Sequence, residues 1–434
     1  MQSVHQTTSV RMRAIIFAAG SDGEIHPHLG IGRELMERGH HVTFITTFDY
    51  VDVARACGFE VLSFLGKDEK QDFLRSTEGL GTIAKLKSYS GFLTGKAAEL
   101  CNMVASRLDE QSILIAPPFF YVIARLLHAR FGTPYVSTVL VPAHLYSIKE
   151  PPTFKSLQWF TRLPYSLRKL VFRVGERLVV DPFFRMVLKE PCRQLEIPRP
   201  RHVISEWWYS PQRVLALFYD WFCPAPADWP KQVVTTGFQM FLPNEETQQL
   251  SNGLSKFLDA GPAPIVFNPG TETQNPRAFF VIALKIVEKL GVRGVFLTRL
   301  TEHLPELPET VWHESYPPFH LLLPRASVLV HHGGVGTIAL AMRAGVPQLI
   351  LPGWTDQVDN GQRAERLGCG LVQQNPLDSD ALLEKLQYLL HSPEVKDACR
   401  LAQERIEPGA VVRGRTVDMV EEIFHSTAKI AMLA

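Results

Sequence analysis

This 434-residue sequence has no cysteine pattern typical of a metal site or of disulfide bonds. Its six cysteines are scattered along the chain, and no two of them form a Cys-x-x-Cys pair. That spacing argues against a zinc knuckle and against a disulfide framework. Reduced thiols in a cytosol are the simplest interpretation of such isolated cysteines.

Long apolar runs and an excess of one charge are also absent. No run reaches the roughly eighteen apolar residues that span a bilayer, and the polar segment from Met1 to Met12 lacks the apolar core of a secretion signal. Lysine and arginine number 45 against 44 aspartates and glutamates, which argues against a nucleic-acid partner. We therefore expect a cytoplasmic protein that touches at most the inner face of a membrane, as a peripheral contact.

The first half of the chain opens with a strand–loop–helix–strand pattern. An apolar run from Ala14 to Ala19 predicts a buried strand, residues 20–24 predict a loop containing Gly23, and Pro27 suits the start of a helix. Residues 42–46 predict the next strand. The Gly-x-Gly-x-x-Gly fingerprint is missing and the second strand ends without the acid that binds a ribose, so an NAD site is not indicated.

The second half repeats this α/β pattern. Further buried runs at residues 113–116, 135–140 and 214–218 extend the first half, and the pattern restarts at residue 265. The sequence therefore predicts an α/β protein with two doubly wound Rossmann-like domains that face each other across a cleft. The predicted boundaries are residues 1–240 for the N-terminal domain, 241–256 for a linker, 257–409 for the C-terminal domain, and 410–434 for a helix that braces the N-terminal domain.

Residues 328–360 contain the most informative pattern of the chain. A short apolar run from Val328 to Val330 precedes the glycine-rich loop at 331–337, and a helix is predicted from Ile338 to Ala344. A strand, a glycine-rich loop and a helix in this order form a phosphate site, because the first free N–H groups of the helix point at the anion. A tight turn with glycines for packing alone is the alternative interpretation.

Two further features favour a ligand at this loop. An indole, an acid and an amide follow the next strand at Trp354, Asp356 and Gln357, where open α/β sheets bind ligands. A second glycine loop at Gly270 and Thr271 could bind the other phosphate of a diphosphate.

Residues 312–360 resemble the donor-binding signature of the family 1 glycosyltransferases, which have the GT-B fold. Similarity to the bacterial rhamnosyltransferases of glycolipid synthesis extends over nearly the whole chain. The segments that carry the signature are Tyr316-Pro317-Pro318, Leu322-Leu323-Pro324, the His331 to Thr337 loop, Ala344-Gly345-Val346-Pro347 and Asp356-Gln357.

The resemblance implies a role for each matching position. His332 would contact the donor diphosphate, Tyr316 stands where the family usually has a tryptophan that stacks on the base, and Phe319 replaces a frequent glutamine. Asp356 and Gln357 would bind the sugar beside Trp354. The remaining positions around the phosphates are Gly23, Gly270, Thr271, Gly333, Gly334, Gly336 and Thr337.

The catalytic base is expected in the loop after the first strand. Glu24 occupies the position where the resemblance places a histidine or aspartate, and His26 is the second candidate. The alternative for Glu24 is an acid that only suits the helix dipole. No metal is expected, because the Asp378-Ser379-Asp380 triplet precedes an apolar helical run and reads as a helix cap.

The predicted function is inverting, metal-independent transfer of a sugar, rhamnose or glucose, to a hydroxyl of an apolar, lipid-like acceptor. The donor would be a dTDP- or UDP-sugar, and no cofactor is expected. The alternatives are a nucleotide-sugar epimerase and a sugar-nucleotide or lipid binding protein without catalysis. Residues 153–190 are basic and aromatic, which fits either helices packed on the first domain or a surface for lipid. The predicted acceptor-lining residues are Phe119, Phe120, Tyr146, Trp207 and Trp208.

Overall fold

Two parallel β-sheets form the centre of the molecule. The computed structural model describes residues 11–77, 84, 88, 91–92, 95–152, 158–270, 275–353 and 355–433. Both sheets are covered by helices, so their strands are buried on both faces, as expected for parallel sheets. The α/β fold class predicted from the sequence is confirmed.

The first sheet has the strand order β3-β2-β1-β4-β5-β6-β7, and every neighbouring pair is parallel. Its central strands consist almost entirely of buried apolar residues. The strands are β1 (Arg13–Phe17), β2 (His41–Thr47), β3 (Glu60–Leu65), β4 (Ser112–Ala116), β5 (Tyr135–Val139), β6 (Arg213–Ala216) and β7 (Val233–Thr235).

The second sheet has the order β10-β9-β8-β11-β12-β13 and is also parallel throughout. Its central strand β11 runs into the glycine-rich loop. The strands are β8 (Ile265–Asn268), β9 (Gly294–Leu297), β10 (Val311–Glu314), β11 (Val328–His331), β12 (Gln348–Ile350) and β13 (Gly370–Val372).

Helices connect the strands and cover both sheets. Those in the described parts of the chain are α1 (Asp22–Glu37), α2 (Val51–Ala56), α3 (Lys67–Thr77), α4 (Ala97–Ala105), α5 (Tyr121–Phe131), α6 (Gln158–Thr161), α7 (Tyr165–Gly175), α8 (Asp181–Val187), α9 (Lys189–Gln194), α10 (Asn252–Asp259), α11 (Pro276–Leu290), α12 (Phe319–Leu322), α13 (Val335–Ala344), α14 (Thr355–Arg366), α15 (Ser379–His391), α16 (Pro393–Arg405) and α17 (Gly409–Leu433).

Helix α1 begins at Asp22, five residues before the proline at which the sequence predicts its start. Ser21 and Glu24 form a capping box, in which the Glu24 carboxylate accepts the Ser21 N–H at 3.2 Å. This cap and the acidic first turn stabilise a helix start ahead of Pro27, which lies inside the helix. The predicted loop position of Glu24 is therefore wrong, and Glu24 lies in the first helical turn.

The C-terminal helix α17 packs against the first sheet's domain. Its Val417 and Val420 are buried in one cluster with Ile16 of β1. The Arg38 guanidinium at the end of α1 reaches the same helix, at 2.6 Å from the Asp418 carboxylate and 3.0 Å from the Gly414 carbonyl. The chain therefore crosses from the second sheet back to the first at its C-terminal end.

Helix α10 overlaps the predicted linker. Its Leu254 and Leu258 are buried with Val266 of β8 and Val295 of β9, so this helix packs on the second sheet. The other predicted domain boundaries stay predictions. No helix in the described ranges is long and apolar enough to cross a membrane.

Candidate functional site

The buried His331 at the end of β11 holds the glycine-rich loop in place. The Gly333 N–H donates to His331 Nδ1 at 3.1 Å, so the other ring nitrogen carries the proton and donates to the Gln348 amide oxygen at 3.0 Å. Burial lowers the pKa of His331 to about 3, and the neighbouring His332 adds to this effect. His331 is therefore a neutral structural residue that shapes the loop.

His332 lies between two glycines. A Cβ atom at Gly270 would lie 2.6 Å from His332 Nδ1, and one at Gly334 would lie 2.8 Å from His332 Nε2. The Nδ1 atom is buried and has no hydrogen-bond partner in the described chain. Burial also lowers the pKa of His332 to about 4, so the ring is neutral at pH 7. A buried nitrogen without a partner is uncommon and indicates a place for a ligand atom.

The N-terminus of α13 adjoins this imidazole. Its N-cap is Gly334, which offers no side-chain hydrogen bond to the first turn. Val335, Gly336 and Thr337 form that turn, and a Cβ atom at Gly336 would contact nothing within 4 Å. The first N–H groups of a helix attract anions, and here no cap shields them. The helix begins three residues before the predicted start at Ile338 and includes the last three residues of the predicted phosphate loop.

Helix α14 closes the loop from the other side. Gln357 accepts the Gly353 N–H at 2.9 Å through its amide oxygen, and its backbone carbonyl lies 3.0 Å from where a Gly333 Cβ would be. The predicted residues Asp356 and Gln357 thus lie in the first turn of α14, directly beside the loop. Thr271 and Trp354, also predicted for the site, lie outside the described residues.

Asn360 is a loop contact that the sequence does not single out. It is fully buried, and its amide donates to the Gly333 carbonyl at 3.3 Å. Its amide oxygen has no partner among the described residues. One turn of helix separates it from Gln357, and this spacing is the sequence signal that places both on one face.

Tyr316 belongs to the second domain, and its hydroxyl reaches the first. It donates to one oxygen of the Asp22 carboxylate at 3.0 Å, and the Tyr50 hydroxyl donates to the other oxygen at 2.9 Å. The Arg299 guanidinium lies over the Tyr316 ring at 4.7 Å. The carboxylate and burial raise the pKa of Tyr316 to about 12, so the hydroxyl stays protonated. The ring is 59% exposed and remains accessible to a ligand.

The candidate bases lie in the first two turns of α1. The Glu24 carboxylate lies over the backbone at Gly20. A Cβ atom added at Gly20 would be 1.5 Å from Glu24 Oε2. Gly20 has a φ of 125°, which favours glycine. His26 is half-buried, and desolvation lowers its pKa although the Asp22 charge opposes the shift. Gly23 is exposed within the same turn.

His28 supports this turn from inside the domain. Its Nδ1–H donates to the Glu24 carbonyl at 2.6 Å, and its Nε2 accepts the Thr138 hydroxyl at 2.8 Å. Burial lowers the pKa of His28 to about 4, so the ring is neutral. The backbone of Glu24 is thereby tied to strand β5.

The two helix N-termini lie close together across the cleft. Helix α1 contacts α13, and Val335 at the start of α13 packs against the buried cluster of the first domain that contains Ile25. Helix α14 contacts the short turn Pro142–His144, which follows β5. The start of α1, which carries Glu24 and His26, therefore lies against the second domain, where Asp22 bonds to Tyr316.

The five predicted acceptor-lining aromatics have different surroundings. Phe120 is 1% exposed and stacks on Phe17 at 5.3 Å, so its ring belongs to the core. Its neighbour Phe119 is exposed. Tyr146 stacks on Phe172 of α7 at 3.9 Å, and its hydroxyl is buried without a partner in the described chain.

The two tryptophans lie at the edge of the same core. The Arg125 guanidinium lies 5.6 Å from the Trp207 ring, and Trp208 packs edge-on against Tyr121 at 5.9 Å. Both indoles are partly buried against the cluster of the first domain. These contacts show that the two indoles pack on the core. Their role in lining an acceptor site stays a prediction.

His144 was missed by the sequence analysis. It lies in the turn that contacts α14, and its buried Nδ1 has no partner in the described part of the protein. Burial lowers the pKa of His144 to about 4. A single histidine with no motif around it carries no sequence signal, so only the packing of the two domains shows its place.

The Asp378 triplet acts as the sequence predicts. The Asp378 carboxylate accepts the Ala381 N–H at 3.1 Å and caps α15. No group of three or more potential metal-ligating side chains occurs in the described ranges.

The part of the sequence that contains the glycine-rich loop matches a known family. A family described as the Erythromycin biosynthesis protein CIII-like C-terminal domain matches residues 295–412. A sterol 3-beta-glucosyltransferase of Arabidopsis thaliana is 26% identical over 408 residues, which are 89% of this chain and 64% of that protein. The chain thus spans less than two thirds of this relative.

Solved structures show the same two-domain architecture. The glycosyltransferase of kitacinnamycin superposes with a TM-score of 0.72 at 18% identity, over 95% of this chain and 99% of that one. A spinosyn rhamnosyltransferase complexed with thymidine diphosphate gives a TM-score of 0.63 at 18% identity, over 94% and 100%. Residues 295–412 are therefore similar to the CIII-like family, and the chain shares the fold of these glycosyltransferase structures.

Proposed function

We propose that this protein transfers a sugar from a nucleoside diphosphate sugar to a hydroxyl group of an apolar, lipid-like acceptor. The observation that carries the proposal is the buried, unpartnered Nδ1 of His332 beside the uncapped N-terminus of α13. A diphosphate leaving group needs N–H donors and receives them from these two elements. His332 supplies the donor from its side chain.

The proposed reaction is a displacement with inversion at the anomeric carbon. The bond from that carbon to the diphosphate oxygen breaks, and a bond to the acceptor oxygen forms from the opposite face. Negative charge develops on the leaving diphosphate, where the α13 N–H groups and His332 stabilise it. No metal ion has a step in this proposal.

The acceptor proton goes to a base on α1. Glu24 is the first candidate, because an ionised carboxylate accepts the proton as the acceptor oxygen forms its new bond. Its capping bond to the Ser21 N–H fixes the carboxylate in position. His26 is the second candidate, because its lowered pKa keeps the imidazole neutral and able to accept a proton at pH 7.

The sugar and the acceptor are proposed from the relatives. The sterol glucosyltransferase points to an apolar alcohol as acceptor, and the spinosyn rhamnosyltransferase with thymidine diphosphate supports a dTDP-sugar. We propose rhamnose or glucose as the sugar, carried on dTDP or UDP. The proposal includes peripheral contact with a membrane, where a lipid-like acceptor would be found, through residues 153–190, of which the structure describes 158–190.

The test is direct. Purified protein is incubated with dTDP-rhamnose or UDP-glucose and with a hydroxy-fatty acyl ester or a sterol, and products are identified by mass spectrometry. The expected product is a glycoside formed with inverted anomeric configuration. His332→Ala should lower its rate by about 10²–10³-fold. A changed sugar on an intact nucleotide without acceptor would instead identify an epimerase, and donor binding without any product would identify a binding protein.

A further inference from the structure

The exposed apolar side chains of this protein are concentrated in one segment. Half of the large apolar residues that the described chain exposes lie between Trp159 and Met186. Such a concentration exceeds the scattered exposure of ordinary surfaces and marks an interaction site. The segment consists of α7, a π-helical turn (Glu176–Val180) and α8, which follow one another without a break.

Four of these residues form an exposed stripe along the helix: Leu167, Leu170, Val174 and Leu178. Their spacing of three and four residues places them on one face. Leu170 is 58% exposed and Leu178 is 69% exposed, so nothing in the described protein covers the stripe. The opposite face of the helix packs inward, where Phe172 stacks on Tyr146.

Charge is distributed unequally between the two faces. Glu176 and Asp181 point inward and are buried, where their carboxylates accept the backbone N–H groups of Ser205 at 2.7 Å and of Val203 at 3.0 Å. These two acids therefore do not neutralise the outer face. The basic residues that residues 162–189 expose are Arg162, Arg173, Arg177, Arg185 and Lys189.

Two exposed guanidinium groups beside the stripe have no ion-pair partner among the described residues. Arg173 and Arg177 flank the stripe, one residue before Val174 and Leu178, and form no ion pair with any described residue. Glu190 is the exposed acid of the segment, and Arg193 already binds it at 2.6 Å. The face thus combines an apolar centre with an unpaired cationic edge, which is the pattern of helices that lie in a membrane interface.

We propose that the exposed stripe and its arginines seat this protein on an anionic lipid bilayer. The four apolar side chains enter the headgroup region, and the guanidinium groups bind lipid phosphates. A second copy of the chain fits this face poorly, because a two-fold contact would bring the same unpaired arginines together. The inference rests on the proposed membrane contact and is independent of the transfer reaction.

The same face offers an opening for a lipid chain. A groove of about 400 Å³ shares Met186 with this segment, and its described lining residues are Gly91, Gly95, Ala98, Phe183, Met186, Val187, Glu190 and Pro191. Met186 is 68% exposed and belongs both to the groove and to the outer face. An acyl chain at the surface of the bilayer would meet this groove first.

Vesicle flotation tests the proposal with the full chain and needs no sugar donor. Wild-type protein should bind vesicles that contain phosphatidylglycerol at least about tenfold more tightly than vesicles of phosphatidylcholine alone, and salt should remove the difference. Leu170→Glu with Leu178→Glu should abolish binding to both vesicles. Arg173→Gln with Arg177→Gln should lose only the preference for phosphatidylglycerol, by about fivefold for each arginine.

The matched control is Leu377→Glu with Leu401→Glu, which changes two comparably exposed leucines of the second domain and should leave binding unchanged. All variants should retain the wild-type melting temperature, since the changed side chains are exposed. Equal binding by the Leu170/Leu178 variant and the wild type would overturn the proposal. So would failure of the wild type to bind either vesicle, or a dimer in solution that the same leucine variant dissociates.

Discussion

The Tyr316 hydroxyl donates a hydrogen bond to the Asp22 carboxylate across the cleft, over 3.0 Å. Asp22 is the first residue of the helix that carries Glu24, and Tyr316 stands at the proposed base-binding position. The Asp22 carboxylate therefore joins the proposed nucleobase site to the helix that carries the candidate catalytic base.

Replacing Tyr316 by Phe should slow transfer without weakening donor binding. The ring stays available for stacking, and only the bond to Asp22 is lost. We expect kcat to fall about tenfold while KM for the donor changes by less than about threefold, because the loss of one hydrogen bond to a charged group corresponds to roughly 1.5 kcal/mol. Tyr50→Phe is the control, since it removes a bond to the same carboxylate from within the first domain. A rise in KM alone would show that the hydroxyl serves binding.

Alanine at Gly270 and at Gly336 should have opposite effects on stability. Gly270 has a φ of 82°, and an added Cβ would meet His332 Nδ1 at 2.6 Å, so Gly270→Ala should destabilise the protein by more than about 1 kcal/mol. Gly336→Ala meets nothing and removes a helical glycine, so it should stabilise the protein by about 0.5–1 kcal/mol. Both should weaken donor binding if the diphosphate occupies this loop. Thermal melting and donor titration separate the two effects, and undiminished donor binding by Gly336→Ala would place the diphosphate elsewhere.

Replacing Glu24 by Gln tests the base without removing the helix cap. A glutamine oxygen can accept the Ser21 N–H as the carboxylate does. We expect an unchanged melting temperature and a loss of about 10²–10⁴-fold in kcat, the usual effect of removing a general base. His26→Asn is the companion variant. If it suffers the larger loss while Glu24→Gln stays active, His26 is the base.

Acid should destabilise the fold through four buried histidines. Burial lowers the pKa of His28, His144 and His332 to about 4 and that of His331 to about 3, from an ordinary value of 6.5. Below pH 6.5 these histidines bind protons in the unfolded chain but stay neutral in the folded protein. The free energy of unfolding therefore falls as pH drops from 6.5 towards 4. The melting temperature followed over this range should fall steeply. His332→Asn should flatten the slope, whereas the exposed His391→Gln should leave it unchanged.

Apolar runs made the centres of both sheets predictable. Strands β4, β5 and β11 consist of short, fully buried runs, and β1 and β8 are buried at all but one residue. Strands such as β3 and β13 lie at the sheet edges and are half-buried, so their mixed sequences give no clear signal. The helix α1 starts ahead of the predicted position because the Ser21 and Glu24 capping box stabilises a start before Pro27.

The site was predictable where its residues follow two neighbouring strands, β11 and β12. His332, Asp356 and Gln357 are close in the chain, and the spacing of a strand–loop–helix unit brings them together. Asn360 is signalled by its helical spacing from Gln357, whereas Asp22 and His144 gain their place from the packing of distant segments. No local pattern distinguishes them, because their unpaired atoms or cross-cleft bonds exist only once both domains are folded.

The return of α17 to the first sheet has a consequence for synthesis on the ribosome. Val417, Val420 and Phe424 fill the buried cluster beneath β1 and α1, although hundreds of residues separate them in the chain. Domains usually fold in order as the chain emerges. Here the cluster beneath β1 and α1 lacks these side chains until α17 has been synthesised, so the N-terminal domain completes its core only after the second domain has been made.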